Sequence, residues 1–492
     1  MEKCFGWSVD ELKARVKEAF SDIGEISFYE NSCAESGGSK FVMAEVDGQD
    51  KLLIYGKNSP SFAAFSGIEA GDFKLCDADH KNRLVLGQTF SYTKPRALGE
   101  KTATIGLGDR LGLANVAHLA AIDGSGMLPV LAQQSMRELV LTNRTYDDVL
   151  DAAAWSVFKY GWQNGFSADG DHLKLPEEID IALKAGYTMI TLDCSGVLKD
   201  VPEDAAAVQK AYEEIPADVR ARFEKEYPAD ESAKALGLKF DMDTLKAVAA
   251  AYYATVDFIK GVYDRIKQEE RAVDFEVSLD ETTQTTLPEA HYFVANELHK
   301  LGVKIESMAP RFVGEFQKGI DYIGDTDDFN RDIKEHAAIA KHFGYKISVH
   351  SGSDKFRIFE YVSPAASGSF HLKTSGTSWL EAVRAIAQTE PALYRKMHAC
   401  ALRNMDRARE HYVVHADLGK VPALDTVSDA DLPDYLTKDD SRQLMHITYG
   451  YILDDPELKK EVYAALKKHK KEYEAALKKH IGRHVSLLMD GK

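Results

Sequence analysis

The stretch Asp274–Glu281, DFEVSLDE, alternates Phe275, Val277 and Leu279 with Glu276 and Ser278 and ends in two acids. Period-two alternation in a short run with aromatic and β-branched residues reads as a strand. A carboxylate inside such a strand must be paired, metal-bound or proton-carrying, because burying it alone costs as much free energy as a whole domain has to spare. The same unit, an apolar run that breaks into polar or glycine-rich residues and gives way to a helical stretch, occurs on both sides of it. Upstream stand TATIGLGDR (102–110), LPVLAQQS (128–135), GFSADGDH (165–172) and YTMITLDCS (187–195). Downstream stand KIESMAPR (304–311), KISVHSGS (346–353) and SFHLKTSG (369–376), which makes eight units in all. Buried parallel strands need right-handed helical crossovers, so eight strand–helix units predict an α/β chain closed into a (β/α)8 TIM-type barrel. An open doubly wound sheet gives similar local signals. The barrel is favoured because ionisable and amide residues crowd the C-terminal ends of nearly every unit: Asp109, Gln133, Asp169, Asp171, His172, Asp193, Glu276, Asp280, Arg311, His350, His371 and Lys373. In a barrel those ends meet at one mouth.

Around this core the chain divides in three. Residues 1–98 read as a small N-terminal α/β cap, with an amphipathic helix (SVDELKARVKEAF) and strands FVMAEV and KLLIYG parted by the turn DGQD. The cap ends near SYTKPRALGEK, where Pro, Gly and charge interrupt any periodicity. Residues 99–385 are the expected barrel, with a long helical insertion at about 196–272, and 386–492 a helical extension packed on it. The 61 Lys+Arg against 78 Asp+Glu give a net charge of −17, which opposes nucleic acid and anionic bilayers as partners. With no apolar run of membrane-spanning length and no basic-then-apolar N-terminus, the expected location is cytoplasmic. The five cysteines are scattered without a Cys-x-x-Cys pair, so any metal must use His and carboxylates.

Several segments carry candidate chemistry. In GFSADGDHLK, alternation puts Asp169 and Asp171 on one face and His172 on the other, unless Gly170 marks a bulge; a helix cap for Asp171 is the structural alternative. In DFEVSLDETT, Asp280 and Glu281 serve the site or cap the next helix. KISVHSGSDKF places His350 at a strand end and follows it with Ser353 and Lys355 in an anion-binding type of turn. SFHLKTSGTS puts His371 and Lys373 on one face of a strand and then opens a helix whose free amides attract anions; an internal ion pair is the alternative for Lys373. After the sixth strand, Arg311 and Glu315 have the i,i+4 spacing of a pair on a helical turn, while Glu315 as a metal ligand is the functional reading. In GLGDRLG, Gly108 permits a tight turn and Asp109 and Arg110 pair or touch substrate. His415 and His446, in the C-terminal part, reach the mouth only if that region folds over it.

Taken in order, GLGDRLG, AQQSMRE, ADGDHLK, FEVSLDET, RFVGEFQKGIDY, HSGSDKF, HLKTSGTS and RQLMHITYG closely resemble the tagaturonate/fructuronate epimerase family, related to tagatose 4-epimerases, over about residues 100–485. The resemblance implies a metal-dependent isomerase that inverts one hydroxyl-bearing carbon of a six-carbon keto-uronate in hexuronate breakdown. It implies Asp171 and Glu276 as the acid/base pair and His172 and His350 as metal ligands, with Glu315 and His371 as further ligands. Asp109, Gln134, Ser135, Arg311, Ser353, Lys355 and Lys373 are the expected substrate contacts, with Arg311, Lys355 or Lys373 on its carboxylate. The metal is divalent, and Mn, Zn, Ni and Co all suit His with carboxylates. The inverted carbon is not next to the ketone, so its hydrogen is not acidified. A retro-aldol route through an enediolate is therefore expected, with proton donors on opposite sides. A class II type aldolase or ketose isomerase on the same barrel, and a non-catalytic sugar-acid binding protein, are the rival readings. A small keto-uronate or ketohexose is the expected partner, and a homo-oligomer is left open.

Overall fold

The computed structural model describes residues 5–202 and 204–489. The opening helix Val9–Ala19 starts on a capping box, Ser8 and Glu11 each bonding the other's backbone amide. An antiparallel sheet follows, built of β1 (Ile26–Phe28), β2 (Ala34–Ser36), β3 (Ser39–Val46), β4 (Gln49–Tyr55), β5 (Ile68–Ala70) and β6 (Phe73–Asp77). The β3–β4 hairpin turns through Asp47 and Gly48, at φ 48° and 73°, as a two-residue turn with both φ positive. Within FVMAEV and KLLIYG, residues 41–44 and 52–54 are apolar without interruption because both faces are covered. Val42, Ala44 and Leu53 lie with Leu12 and Val16 of the opening helix. Phe41, Met43, Leu52 and Ile54 pack on Trp155 and Phe158 of the helix Tyr146–Tyr160. The sheet therefore rests on the flank of the barrel.

The barrel strands are β7 (Thr104–Leu107), β8 (Leu128–Gln134), β9 (Ser167–Leu173), β10 (Met189–Asp193), β11 (Asp274–Ser278), β12 (Ser307–Ala309), β13 (Lys346–Val349) and β14 (Phe370–Thr374). All pair in parallel, and β14 returns to β7 to close the cylinder, so the expected (β/α)8 fold is the one observed. Ile105, Leu107, Phe275, Val277, Ile347, Val349, Phe370 and Leu372 join the core shared with the surrounding helices. Each such burial is worth roughly 1.5–3 kcal/mol. The alternate positions, among them Thr104, Glu276, Ser348, His371 and Lys373, are buried polar side chains, so the inside of the cylinder is polar.

Between β10 and β11 the insertion folds as Ala205–Glu213, Ala217–Glu226, Glu231–Ala235 and Met242–Ile266. After β14, the helix Thr377–Thr389 and the C-terminal helices share a second core, with Trp379, Leu380, Tyr394, Leu444 and Met445. Segment Asp439–Ile447 is drawn to the mouth by Gln443, whose Nε2 donates to Gln317 Oε1 (2.9 Å), and by Arg442, whose Nε donates to the Gly319 carbonyl (2.7 Å). One local expectation is corrected. Residues 310–325 contain no helical turn; instead Glu315 and Ile323 exchange backbone hydrogen bonds at 2.8 and 3.2 Å across a loop, so Arg311 and Glu315 are not an i,i+4 pair. Among the described residues no helix is long and apolar enough to cross a membrane.

Candidate active site

The interior polar residues converge on Lys373. From β14 its Nζ lies 2.9 Å from Asp169 Oδ2 and 2.6 Å from Asp171 Oδ1, both on β9, and 3.1 Å from Glu276 Oε1 on β11. Thr191 of β10 donates to Asp169 Oδ1 (3.0 Å) and Glu276 Oε1 (3.1 Å), tying the two strands together. Ser307 of β12 donates to Glu276 Oε2 at 2.5 Å, and His350 Nε2, at the end of β13, is 2.7 Å from Glu276 Oε1. Glu276 is thus fully buried and fully paired. Burial pushes its carboxyl up, but Lys373 and His350 outweigh that and hold it well below the usual range. Burial likewise opposes ionisation of Asp171, yet Lys373 and His172 bring it to about 2. Asp169 goes the other way: burial, with Asp171 and Glu276 nearby, pushes it up to about 6 against the pull of Lys373. Three acids around one ammonium with divergent proton affinities form an acid/base constellation.

His172 joins this group although regular alternation would turn it away. Strand β9 is not regular: Met189 and Ile190 pair with Asp169 and Gly170, but Leu192 pairs with Leu173, so β9 carries an extra residue. His172 takes a left-handed backbone, φ 53°, a conformation costing on the order of 1 kcal/mol for a residue with a side chain. The bulge brings its ring to 4.9 Å from that of His350, centroid to centroid. His350 Nδ1 meets Asp280 Oδ1 at 3.1 Å. Burial disfavours the His350 cation, but Asp280 and Glu276 overcome it and raise the ring to about 10.

His172, Asp280 and His350 each present a ligand atom within 4.8 Å of the others. Buried His172 Nδ1 has no hydrogen-bond partner among the described residues, with Asp193 Oδ2 standing off at 3.6 Å. Two imidazoles and a carboxylate, one nitrogen orphaned and one ring holding a proton only because anions surround it, fit a divalent cation.

The remaining sequence candidates are not part of the His–Asp group. His371 sits one layer deeper, its Nδ1 2.8 Å from Thr104 Oγ1, and burial lowers it to about 3. Glu315 is on the exposed loop, where its Oε2 accepts from Gln317 Nε2 at 2.5 Å; neither it nor His371 belongs to the His–Asp group. Asp109 accepts from the amides of Leu111, Gly112 and Ala114 at 2.8–3.2 Å and so shapes its own loop. Ser135 caps the helix Met136–Thr142, and Gln134 is buried with neither amide atom hydrogen-bonded among the described residues. Its neighbour Gln133 is the one reaching β14, donating to the Thr374 carbonyl at 3.3 Å. Arg311 donates to the carbonyls of Asp280 (3.4 Å) and Thr282, bracing the loop after β11. Ser353 Oγ accepts from Ser375 N at 3.3 Å. Lys355 is fully buried, with its ammonium on three carbonyls, Gln317 (2.9 Å), Ile320 (2.6 Å) and Ser353 (3.0 Å), and has no donor left for a substrate carboxylate. Lys373, centred on three acids, is likewise not free to hold one.

A polar barrel interior, acids on the two strands flanking β10 and a His–Asp group at one mouth define an enzyme that moves protons on a small polar substrate. Residues 29–488 match the sequence profile of tagaturonate epimerases. The chain is 40% identical over 467 residues to a tagaturonate/fructuronate epimerase of Thermotoga maritima, covering 94% of this chain and 96% of that one. Crystal structures of the fructuronate-tagaturonate epimerase of Cohnella laeviribosi superpose with TM-scores of 0.93 (native) and 0.92 (with one glycerol) at 44% identity, covering 97% and 98% of this chain and 99% of theirs. The chain belongs to the tagaturonate epimerase family.

Asp280, Thr191 and Ser307 are site residues that sequence reasoning weighed too lightly or passed over. Thr191 carried a usable signal, being polar between Ile190 and Leu192 just as Glu276 is between Phe275 and Val277.

Proposed function

We propose that this protein is a cytoplasmic epimerase interconverting D-tagaturonate and D-fructuronate with a divalent cation, in the 99–385 barrel between the 1–98 cap and the 386–492 extension. The observation that carries the reading is the placing of Asp171 and Glu276 on β9 and β11, bridged by the Lys373 ammonium, beside the His172–Asp280–His350 group. Those three residues, rather than Glu315 or His371, would hold the cation. When bound, it supplies positive charge against the negative charge that develops at the substrate's ketone oxygen.

The protein's own groups handle the protons. Glu276 Oε1, kept ionised by Lys373 and His350, takes the proton from the hydroxyl on the carbon to be inverted. Loss of that proton lets the adjoining carbon–carbon bond break by the retro-aldol route, leaving an aldehyde at the mouth. After the aldehyde turns, the bond re-forms on its other face; the new alkoxide oxygen takes its proton from the Lys373 ammonium, which Asp171 Oδ1 holds at 2.6 Å, and the proton on Glu276 passes to Lys373 Nζ, 3.1 Å away, restoring both groups. Thr191 Oγ1 keeps Asp169 and Glu276 in register through both halves. Neutral ketohexoses such as tagatose fit the same chemistry, which never uses the substrate carboxylate.

Product analysis after cation reconstitution tests the assignment: conversion of tagaturonate to fructuronate is expected, and cleavage products or an aldose would point to an aldolase or ketose isomerase. Incubation in deuterated water tests the route, because obligatory deuterium at the inverted carbon would exclude retro-aldol cleavage.

A further inference from the structure

A keto-uronate carries a carboxylate at the end remote from the ketone, and the mouth must meet that charge with a cation not already neutralised. Lys373 is held by acids, Lys355 by three carbonyls and Arg311 by two. Arg442 bonds the carbonyls of Gly319 and Leu436 and the carboxylate of Asp354.

Lys318, on the loop after β12, is different. Its Nζ donates to Ser351 Oγ at 2.7 Å, one residue from His350, and no carboxylate oxygen among the described residues lies within 4.0 Å of it. Its neighbour Gly319 packs on His446, whose Cβ would stand 3.2 Å from a methyl there. The other side of that ring fills the space above Gly376, where a Cβ would overlap Nε2, just before the 13-residue helix Thr377–Thr389 begins. His446 is 1% exposed, and its Nδ1 has no hydrogen-bond partner among the described residues. Thr377 Oγ1 in the first turn of that helix and Nη1 of Arg110 are also buried without hydrogen-bond partners among the described residues. The rest of the Arg110 guanidinium is spent on Glu138 Oε1, at 2.9 and 2.7 Å, and on the face of Tyr449. Burial lowers His446, and the charges of Arg110 and Lys318 lower it further. Unmet donors and an unneutralised ammonium around a helix N-terminus make a seat for an anion.

We propose that Lys318, with Arg110 Nη1, His446 and the start of the Thr377 helix, forms the subsite that holds the substrate's carboxylate and gives the enzyme its preference for keto-uronates over neutral ketohexoses. The inference rests on the function proposed above. Lys318 holds the acid end while Glu276 and Asp171 work on the inverted carbon, so the cleaved fragment stays in place for re-addition.

The test compares D-gluconate with D-glucitol, six-carbon chains that differ in bearing a carboxylate or not. Calorimetric titration uses chelator-treated full-length protein, so that no cation attracts the acid. Wild-type protein is expected to bind gluconate at least tenfold more tightly than glucitol. Lys318→Met should lose that preference with glucitol affinity within threefold of wild type, and Lys318→Arg should keep it. In turnover of tagaturonate, Lys318→Met should raise KM at least tenfold and lower kcat less. No preference for gluconate in the wild type, or a preference that survives in both Lys318→Met and Arg110→Met, overturns the subsite. Wild-type protein that prefers gluconate but leaves tagaturonate unchanged removes the proposed function and keeps the subsite; turnover of tagaturonate with KM unmoved in Lys318→Met does the reverse.

Discussion

Replacing Lys373 with Met removes a single ammonium that lies 2.9, 2.6 and 3.1 Å from Asp169, Asp171 and Glu276. Opposite unit charges about 3 Å apart attract by roughly 5 kcal/mol at an effective dielectric constant near 20. Deleting one member of a buried pair costs about 3–5 kcal/mol net, because the other charge is left without compensation. Here three charges would be left, which the cavity does not tolerate, so the variant binds a proton. Asp169 takes it first, being pushed up to about 6 even with the lysine present. Unfolding entropy of about 2.1 cal/mol/K per residue over the 492-residue chain is roughly 1 kcal/mol/K, so the loss corresponds to a fall in Tm of about 3–5 °C. The pH dependence has a definite sign. A carboxyl whose pKa is higher in the folded than in the unfolded state makes the native protein bind more protons, so stability falls as pH rises above the unfolded value near 4. The deficit of Lys373→Met against wild type should therefore be larger at pH 8 than at pH 5. Adding Asp169→Asn removes one of the stranded charges and should recover part of the loss at pH 8. Calorimetric melting of the three proteins at both pH values reads all of this. A Lys373→Met melt within 1 °C of wild type at pH 8, or a deficit that does not shrink at pH 5, would show that the ammonium is not the counterion of these acids.

Glu276→Gln and Asp171→Asn should each lower kcat for tagaturonate by about 10²–10⁴ with little change in fold, measured by product formation after cation reconstitution; full rate in both variants rejects them as the acid/base pair. Asp280→Asn and His350→Ala should reduce the bound divalent metal, measured by elemental analysis after dialysis, while Glu315→Gln and His371→Asn should retain it. Asp354 is fully buried between Arg442, His480 and His484, and although burial opposes it, Arg442 and His480 hold its carboxyl well below the usual range. A depressed folded pKa adds stability that is complete above about pH 4 and lost as pH falls through the folded value. The melting difference between wild type and Asp354→Asn should accordingly shrink between pH 6 and pH 3, and a constant difference would place its stabilisation outside ionisation.

The barrel was legible because its strands need apolar residues on the outward positions, and each of the eight runs supplies them beside a polar break. Glu276 was legible for the complementary reason: an acid between Phe275 and Val277 has no bland explanation. What stayed hidden depends on geometry that pattern does not encode. Alternation turned His172 away from Asp171, and only the extra residue in β9 and the positive φ of His172 undo that, a local exception paid for in backbone strain at the site. The residue types of Lys355, Lys373 and Lys318 are identical, yet one is held by carbonyls, one by carboxylates and one by a serine hydroxyl. A lysine's role follows from which acceptors tertiary packing delivers to it, and those include strand and loop residues 33 to 202 positions away in sequence. Such acceptors already occupy the ammonium groups of Lys355 and Lys373. The same logic separates Asp280 from Glu315: both are acids beyond a strand end, but Ser278 and His350 hold Asp280 toward the interior, whereas Glu315 rides on a loop stapled to Ile323 and turned to Gln317.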